Sequence, residues 1–182
     1  MKMQEASENQ TRHLWKIDST HTTIEFAVKN LFFFTVRGRF TGIAGNILLD
    51  EDELGRSSVE AFIKAESIDT GSRRRDAHLC SSDFLNVGEY PEIRFQSTKV
   101  EKGRDRDTIR VTGELTIAGK SREMDIEVTE VERSRSPQGE EVAYYSFLKK
   151  IDRHDFGVSY GRMIIGRTVA VTIHLQAVRR LG

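Results

Sequence analysis

An all-β fold, an antiparallel barrel or sandwich of about eight or nine strands, follows from three features of this sequence. Apolar side chains recur with period two in segment after segment, polar turn signals separate the segments, and one stretch alone has helical character. Successive side chains of a strand point to opposite faces, so strict alternation describes a sheet with one dry and one wet face. Short connections between consecutive strands favour antiparallel pairing.

Leu14–Asp18 opens the series as a less regular strand. Ile24, Phe26 and Val28 then alternate with Thr23, Glu25 and Lys29, and Phe40–Leu49 reads as one further strand, the third. Val59, Ala61, Ile63 and Ala65 alternate with Glu60, Phe62, Lys64 and Glu66. The segment Thr70–Cys80 carries an N-cap candidate followed by good helix formers and predicts a short helix. Ser81–Leu85 predicts a second helical turn capped by Asp83, because an aspartate accepts from exposed helix N–H groups. Strands resume at Ile93–Val100. Ile109, Val111, Leu115 and Ile117 then keep one parity, and Ala118-Gly119-Lys120 closes a tight hairpin onto Met124, Ile126 and Val128. Val142–Lys150 and the alternation of Val169, Val171, Ile173 and Leu175 complete the set.

The 182 residues suit one domain, read as an N-terminal tail over 1–13 and a barrel over 14–182. Lys and Arg total 28 and so do Asp and Glu, which removes the basic surplus that nucleic-acid binding requires. The single cysteine, Cys80, excludes an intramolecular disulfide. Residues 1–10 hold no apolar stretch of the secretory kind, and no run approaches the ~18 apolar residues of an integral membrane span. The expected compartment is therefore the cytoplasm. His13, His21, His78, His154 and His174 form neither a HExxH motif nor a Cys/His cluster, so no metal or cofactor is expected.

A barrel of about eight strands has an interior that side chains can fill or that can hold one small ligand. An apolar strand face suits an ordinary packed core as well as a cavity. If the interior is a cavity, Phe26, Val28, Phe40, Ile63, Phe95, Leu115, Ile117, Ile126, Val171 and Ile173 line it. These are hydrocarbons without donors or acceptors. They suit a chain, a polyene or a quinone tail and do not suit a sugar or nucleotide.

One set of motifs, spread along the chain, narrows this choice. Trp15-Lys16-Ile17-Asp18-Ser19-Thr20-His21 is followed by Ile24-Glu25-Phe26, Phe40-Thr41-Gly42, and Gly45-Asn46-Ile47. Arg75-Asp76-Ala77-His78-Leu79-Cys80 runs through Phe84-Leu85 into Tyr90-Pro91-Glu92-Ile93-Arg94-Phe95. Gly113-Glu114-Leu115-Thr116-Ile117-Ala118-Gly119-Lys120 and Asp155-Phe156-Gly157-Val158 follow. In this order, over about residues 14–178, the chain resembles the YceI-like family of polyisoprenoid-binding, lipocalin-like proteins. The resemblance implies an extended eight-stranded antiparallel barrel with one or two short helices near one end. It also implies an elongated apolar pore that takes isoprenoid chains, isoprenoid quinones or fatty-acid-like molecules, and an ability to form a homodimer. Leu79 joins the ligand-binding set on this reading, and Phe84 and Phe156 close one end. Many relatives are periplasmic, which departs from the compartment expected here.

The remaining polar motifs read as structural. His21 hydrogen-bonds near Asp18 to fix the first hairpin, and Arg75, Asp76 and His78 cap the helix and salt-bridge it to the barrel. Positions two apart do not face each other on a helix, so Asp76 and His78 make a poor acid–base pair. Cys80 has no third orienting group and reads as a small core residue. Arg73 and Arg74 read as a solvated helix face, with contact to an anionic lipid head or phosphate at the barrel mouth as the functional alternative, and Arg37, Arg39 and Arg162 are comparable candidates. The aromatic stretch Leu31–Phe34 either lines that mouth or forms a surface patch. The function expected is binding and sequestration or transport of a long apolar ligand, without enzymatic chemistry. The alternatives are an enzyme acting on an apolar isoprenoid substrate and a filled-barrel interaction module.

Overall fold

The computed structural model describes residues 12–31 and 33–180, and most of the tail expected at the N-terminus lies outside them. Eleven strands follow in chain order: β1 (Arg12–Ile17), β2 (Thr23–Asn30), β3 (Phe34–Phe40), β4 (Ile43–Asp50), β5 (Ser58–Lys64), β6 (Ile68–Asp69), β7 (Glu92–Lys102), β8 (Thr108–Ile117), β9 (Lys120–Arg135), β10 (Glu141–Asp152) and β11 (Ile165–Arg179). The ring β1-β4-β5-β7-β8-β9-β10-β11 closes where β11 returns to β1, so the wall has eight antiparallel positions. Three of those positions are each filled by two successive strands. β11 pairs with β1 through Ala177 and Val178 and with β2 through residues 165–174; β3 continues the line of β4, and β6 that of β5.

Side-chain hydrogen bonds hold the breaks. Between β1 and β2, the Asp18 carboxylate accepts from the Thr20 amide at 2.9 Å and contacts His21 Nδ1 at 2.8 Å, a local turn of the kind aspartate favours. Burial raises the Asp18 carboxyl, but these bonds from His21 and Thr20 outweigh it and hold the group below its ordinary value. Thr22, buried beside the turn, accepts from the Gln176 amide at 3.1 Å. Between β3 and β4, the Ser67 hydroxyl accepts from the amides of Thr41 and Gly42 and donates to the Lys64 carbonyl. Ser67 stands in the 3-10 turn Ala65–Ser67, which itself separates β5 from β6.

The single strand expected over Phe40–Leu49 is therefore two strands broken at Thr41-Gly42, and β3 extends back to Phe34. Side-chain parity shows why. Val36 and Phe40 share the inner face of β3, whereas Ile43, Ile47 and Leu49 do so in β4, so the inward register changes from even to odd at the break. The helix α1 (Arg73–Cys80) forms where expected, with the Ser72 hydroxyl accepting from the Arg75 amide. The second helix does not form: residues 81–90 run as successive turns, and Asp83 contacts His78 Nε2 at 2.7 Å instead of capping a helix. Nor, among the described residues, does a salt bridge tie α1 to the barrel. Asp76 accepts from the amide and hydroxyl of Thr70, and Arg75 donates to the Thr70 hydroxyl and carbonyl.

The hairpin between β8 and β9 turns on Ala118 and Gly119, both at positive φ (47° and 74°), as a two-residue loop requires. A Cβ on Gly119 would lie 2.4 Å from the Tyr90 ring, so only glycine lets that ring close over the turn.

One end of the barrel is plugged. Trp15, Leu49, Ala143, Tyr145 and Ala177 form a buried cluster there, with Leu54 of the 3-10 turn Leu54–Arg56 packed against it. Arg133 and Arg179 stack over the Trp15 ring at 5.3 and 5.7 Å, and Arg133 is held in turn by Glu130 and Glu51. The other end differs. No ladder joins β6 to β7, and the chain between them, α1 and its following turns, leaves the wall to cover that end. The β9–β10 ladder also stops at Thr129 and Ser146, so the two strands diverge toward the α1 end.

Candidate functional site

The barrel interior is hollow. An inner chamber of about 210 Å³ runs from Leu49 and Tyr145 at the plugged end up to Phe40 and Ile117, and an outer chamber of about 430 Å³ continues under α1. Phe40, Ile93, Ile117, Ile151 and Val171 belong to both walls and form a waist between them.

The thirteen residues that the sequence singled out as a ligand-binding set all lie on the walls of these chambers. Ile63, Phe95, Leu115, Ile126 and Ile173 face the inner chamber. Phe26, Val28, Leu79, Phe84 and Phe156 face the outer one, and Phe40, Ile117 and Val171 stand at the waist. They converge because inward positions recur at every second residue of each strand, while Leu79, Phe84 and Phe156 come from α1, its following turn and the 3-10 turn Arg153–Phe156. Phe156 is fully enclosed, and Phe84 forms a cluster with His78 and Tyr160, each pair of rings 5.0–5.1 Å apart.

Both chambers are hydrocarbon almost throughout. In the inner one, Ser57, Tyr145 and Lys149 are the lining residues that carry side-chain polar atoms. Burial, with Glu130 behind it, pushes the Tyr145 phenol well up, so it stays neutral. The Lys149 ammonium reaches past the apolar wall and donates to the Asp125 carbonyl, spanning the gap where β9 and β10 diverge, so its methylene stem is what the chamber sees.

The outer chamber carries the polar groups. Arg75, His78, Tyr160 and Ile164 line it and are themselves exposed, which locates its opening between α1 and the segment 157–164. Asn30 also lines it, and its Oδ1 is buried with no hydrogen-bond partner among the described residues. Arg153 lies beneath and is buried. Its guanidinium donates to the carbonyls of Val158, Tyr160, Ile165 and Gly166 at 2.8–2.9 Å and so folds the segment 157–166 around itself. Burial lowers its proton affinity, with Asp152 partly offsetting this. Replacing Arg153 by Met would leave these carbonyls unpaired in a dry site. A bond from a charged donor contributes ~1.5–3 kcal/mol, so a loss of roughly 3 kcal/mol or more is expected. Hydrogen exchange confined to residues 157–166 should accelerate in that variant.

Neither Arg153 nor Lys149 was expected from the sequence. The signal was parity: Tyr145, Phe147 and Ile151 face inward, and Lys149 and Arg153 continue the same odd register. The Cys80 thiol is pushed up by burial and by the Asp76 and Glu66 carboxylates, the opposite of what a nucleophile needs. Among the described residues no group of three or more His, Cys, Asp or Glu side chains could hold a metal ion.

Comparison with known proteins bears on this geometry. The model of the YceI-like domain matches residues 15–177. The chain belongs to the YceI-like family. A relative in Vibrio parahaemolyticus, a UPF0312 protein, is 31% identical over 163 residues, covering 88% of this chain and 83% of its own. Among solved structures, Burkholderia cenocepacia BcnA superimposes with a TM-score of 0.78 at 21% identity, over 88% of this chain and 98% of that one. A polyisoprenoid binding domain from Saccharophagus degradans gives 0.66 at 14% identity, over 91% and 98%. The eight-position wall is thus the lipocalin-like barrel of the YceI-like family. The hairpin at Gly119 and the Arg75–Phe95 region, which carried the resemblance in the sequence, supply the waist residue Ile117 and the cover of the outer chamber.

Proposed function

We propose that this YceI-like barrel binds and sequesters one long apolar molecule, a polyisoprenoid, isoprenoid quinone or fatty-acid-like lipid, with its tail in the inner chamber and its head at the α1 end. The observation that carries the reading is the continuity of two hydrocarbon-lined chambers through a shared waist. Length agrees with it. From Ile165 to Leu175, at ~3.3 Å per residue and a tilt of ~40°, the lining of β11 spans roughly 25 Å along the barrel. An extended hydrocarbon advances ~1.25 Å per carbon, given ~1.52 Å bonds and ~111° angles, so about 20 chain carbons fit. At ~0.8 kcal/mol per buried CH₂ such a tail contributes about 16 kcal/mol gross, part of it offset by immobilising the chain. The polyisoprenoid-binding domain of Saccharophagus degradans, built on the same fold, supports the ligand class.

Chemistry is not part of this reading. Three polar side chains at the outer chamber are engaged: Arg75 with Thr70, His78 with Asp83 and Arg153 with backbone carbonyls. The unpartnered Asn30 Oδ1 is a ready acceptor for a hydroxyl head group.

The test is to purify the protein under native conditions, extract it with organic solvent and identify the extract by mass spectrometry. A stoichiometric isoprenoid, quinone or lipid is the expected result. An empty extract, from protein that also fails to take up added polyprenols of graded length, would sink the reading.

A further inference from the structure

Among the described residues, ten large apolar side chains are exposed, and six of them lie on two neighbouring segments beside the outer chamber: Leu31 and Phe33 between β2 and β3 with Phe34 at the start of β3, and Tyr160, Met163 and Ile164 before β11. Phe33 and Met163 are 88% and 84% exposed, near the limit for a residue in a folded chain. The segments are joined, since the Leu31 amide donates to the Ile164 carbonyl at 2.7 Å. Tyr160 and Ile164 both line the outer chamber and face solvent, so the patch is the rim of the opening. Scattered exposed apolar residues need no explanation, but a contiguous group at one end of a molecule marks an interaction site.

Charge selects the partner. The whole chain is neutral, yet residues 29–40 and 156–168 contain no Asp or Glu and carry Lys29, Arg37, Arg39, Arg162 and Arg167. Arg39 and Arg167 pair with Asp69 and Asp152, whereas Lys29, Arg37 and Arg162 are exposed and make no ion pair among the described residues. Arg73 and Arg74 add two exposed cations on α1. Aromatic and aliphatic tips ringed by cations are the surface that inserts shallowly into an anionic lipid–water interface.

We propose that the rim formed by Leu31, Phe33 and Phe34 with Tyr160, Met163 and Ile164 docks on the surface of an anionic bilayer, with Phe33 and Met163 entering the interface and Arg162 and its neighbours meeting the head groups. This rests on the reading of the barrel as a holder of a lipid-like molecule. Docking in this orientation puts the opening of the outer chamber against the phase in which an apolar ligand resides, so a tail passes between bilayer and barrel without crossing water. No helix among the described residues is long and apolar enough to cross a membrane, so the contact is peripheral.

The experiment is co-sedimentation of ligand-stripped protein with vesicles of equal parts phosphatidylcholine and phosphatidylglycerol, beside vesicles of phosphatidylcholine alone. Binding to the anionic vesicles is expected, weakened when salt rises from ~0.1 M to ~1 M and the screening length falls from ~10 to ~3 Å. Phe33→Ser with Met163→Ser, and separately Arg162→Glu, should each lower the partition coefficient about tenfold or more. None of these side chains lines a chamber, so the variants should take up polyprenol delivered from solvent as wild type does. Absence of vesicle binding, or binding that the variants leave unchanged, would overturn the proposal. So would a wild-type dimer, seen by light scattering, that these substitutions split while neither form binds vesicles; the patch would then belong to a second copy. Vesicle binding by a protein that takes up no polyprenol would leave the docking surface standing and remove the proposed ligand.

Discussion

Val171→Trp is expected to lower affinity for a ligand with a tail of about 20 carbons by a hundredfold or more, while one of about ten carbons loses no more than a few-fold. Val171 stands at the waist, on the β11 face shared by the two chambers. A tryptophan there closes the passage and leaves the outer chamber usable. About half of a long tail, some ten methylenes at ~0.8 kcal/mol each, is then shut out of the inner chamber, and even after the entropy regained by the free segment the net loss exceeds ~3 kcal/mol. Overpacking at the waist costs ~1–3 kcal/mol of stability, which thermal unfolding would register independently of binding. Ile117→Trp approaches the same constriction from β8 and should repeat the pattern. Fluorescence titration across a series of chain lengths reads the effect. A uniform loss at every length, or none, would mean that ligand does not pass the waist.

This chain-length dependence follows from residues that were legible in the sequence, and the reason is specific. Ile109–Ile117, Met124–Val128 and Val169–Leu175 each keep their large apolar residues on one parity, so their inward sets could be read off by parity alone. What escaped was every feature that depends on a partner distant in sequence. The break at Thr41-Gly42 is held by Ser67, some 25 positions away, and no proline or tight-turn pair marks it. The turn at residues 18–22 is fastened to Gln176 near the other end of the chain. Lys149 of β10 and Arg153 just beyond its end fall on the inward parity, but a cation on a dry face argues against burial until the carbonyls that receive it are in view. Asp83 followed a strong local rule for helix caps and lost to a different local contact, with His78 five positions back. The shape of the cavity was likewise beyond reach. Periodicity states which side chains point inward and is silent on whether opposite walls meet, and here the closed end owes its plug to Trp15 and Tyr145 rather than to any change in pattern.

That plug makes the second large prediction. Trp15→Ala should destabilise the protein by about 3–5 kcal/mol, the cost of truncating a buried tryptophan and leaving a cavity. At ~2–4 °C per kcal/mol for a chain of this size, the melting temperature should fall by roughly 10 °C. Trp15 is 1% exposed, and the guanidiniums of Arg133 and Arg179 lose the ring they stack on. Trp15→Phe should cost only about 1–2 kcal/mol, because it keeps an aromatic face for both arginines and removes an indole N–H that has no hydrogen-bond partner among the described residues. The binding consequence separates the plug from mere stability. With the indole in place the inner chamber is blind, so methylenes beyond about 20 gain nothing and wild-type affinity should level off at that length. With alanine in its place the chamber opens beside Leu49 and Tyr145, and affinity should continue to rise for longer tails, measured at a temperature where the variant remains folded. A plateau at the same length in Trp15→Ala would place the end of the ligand path short of Trp15, inside the inner chamber.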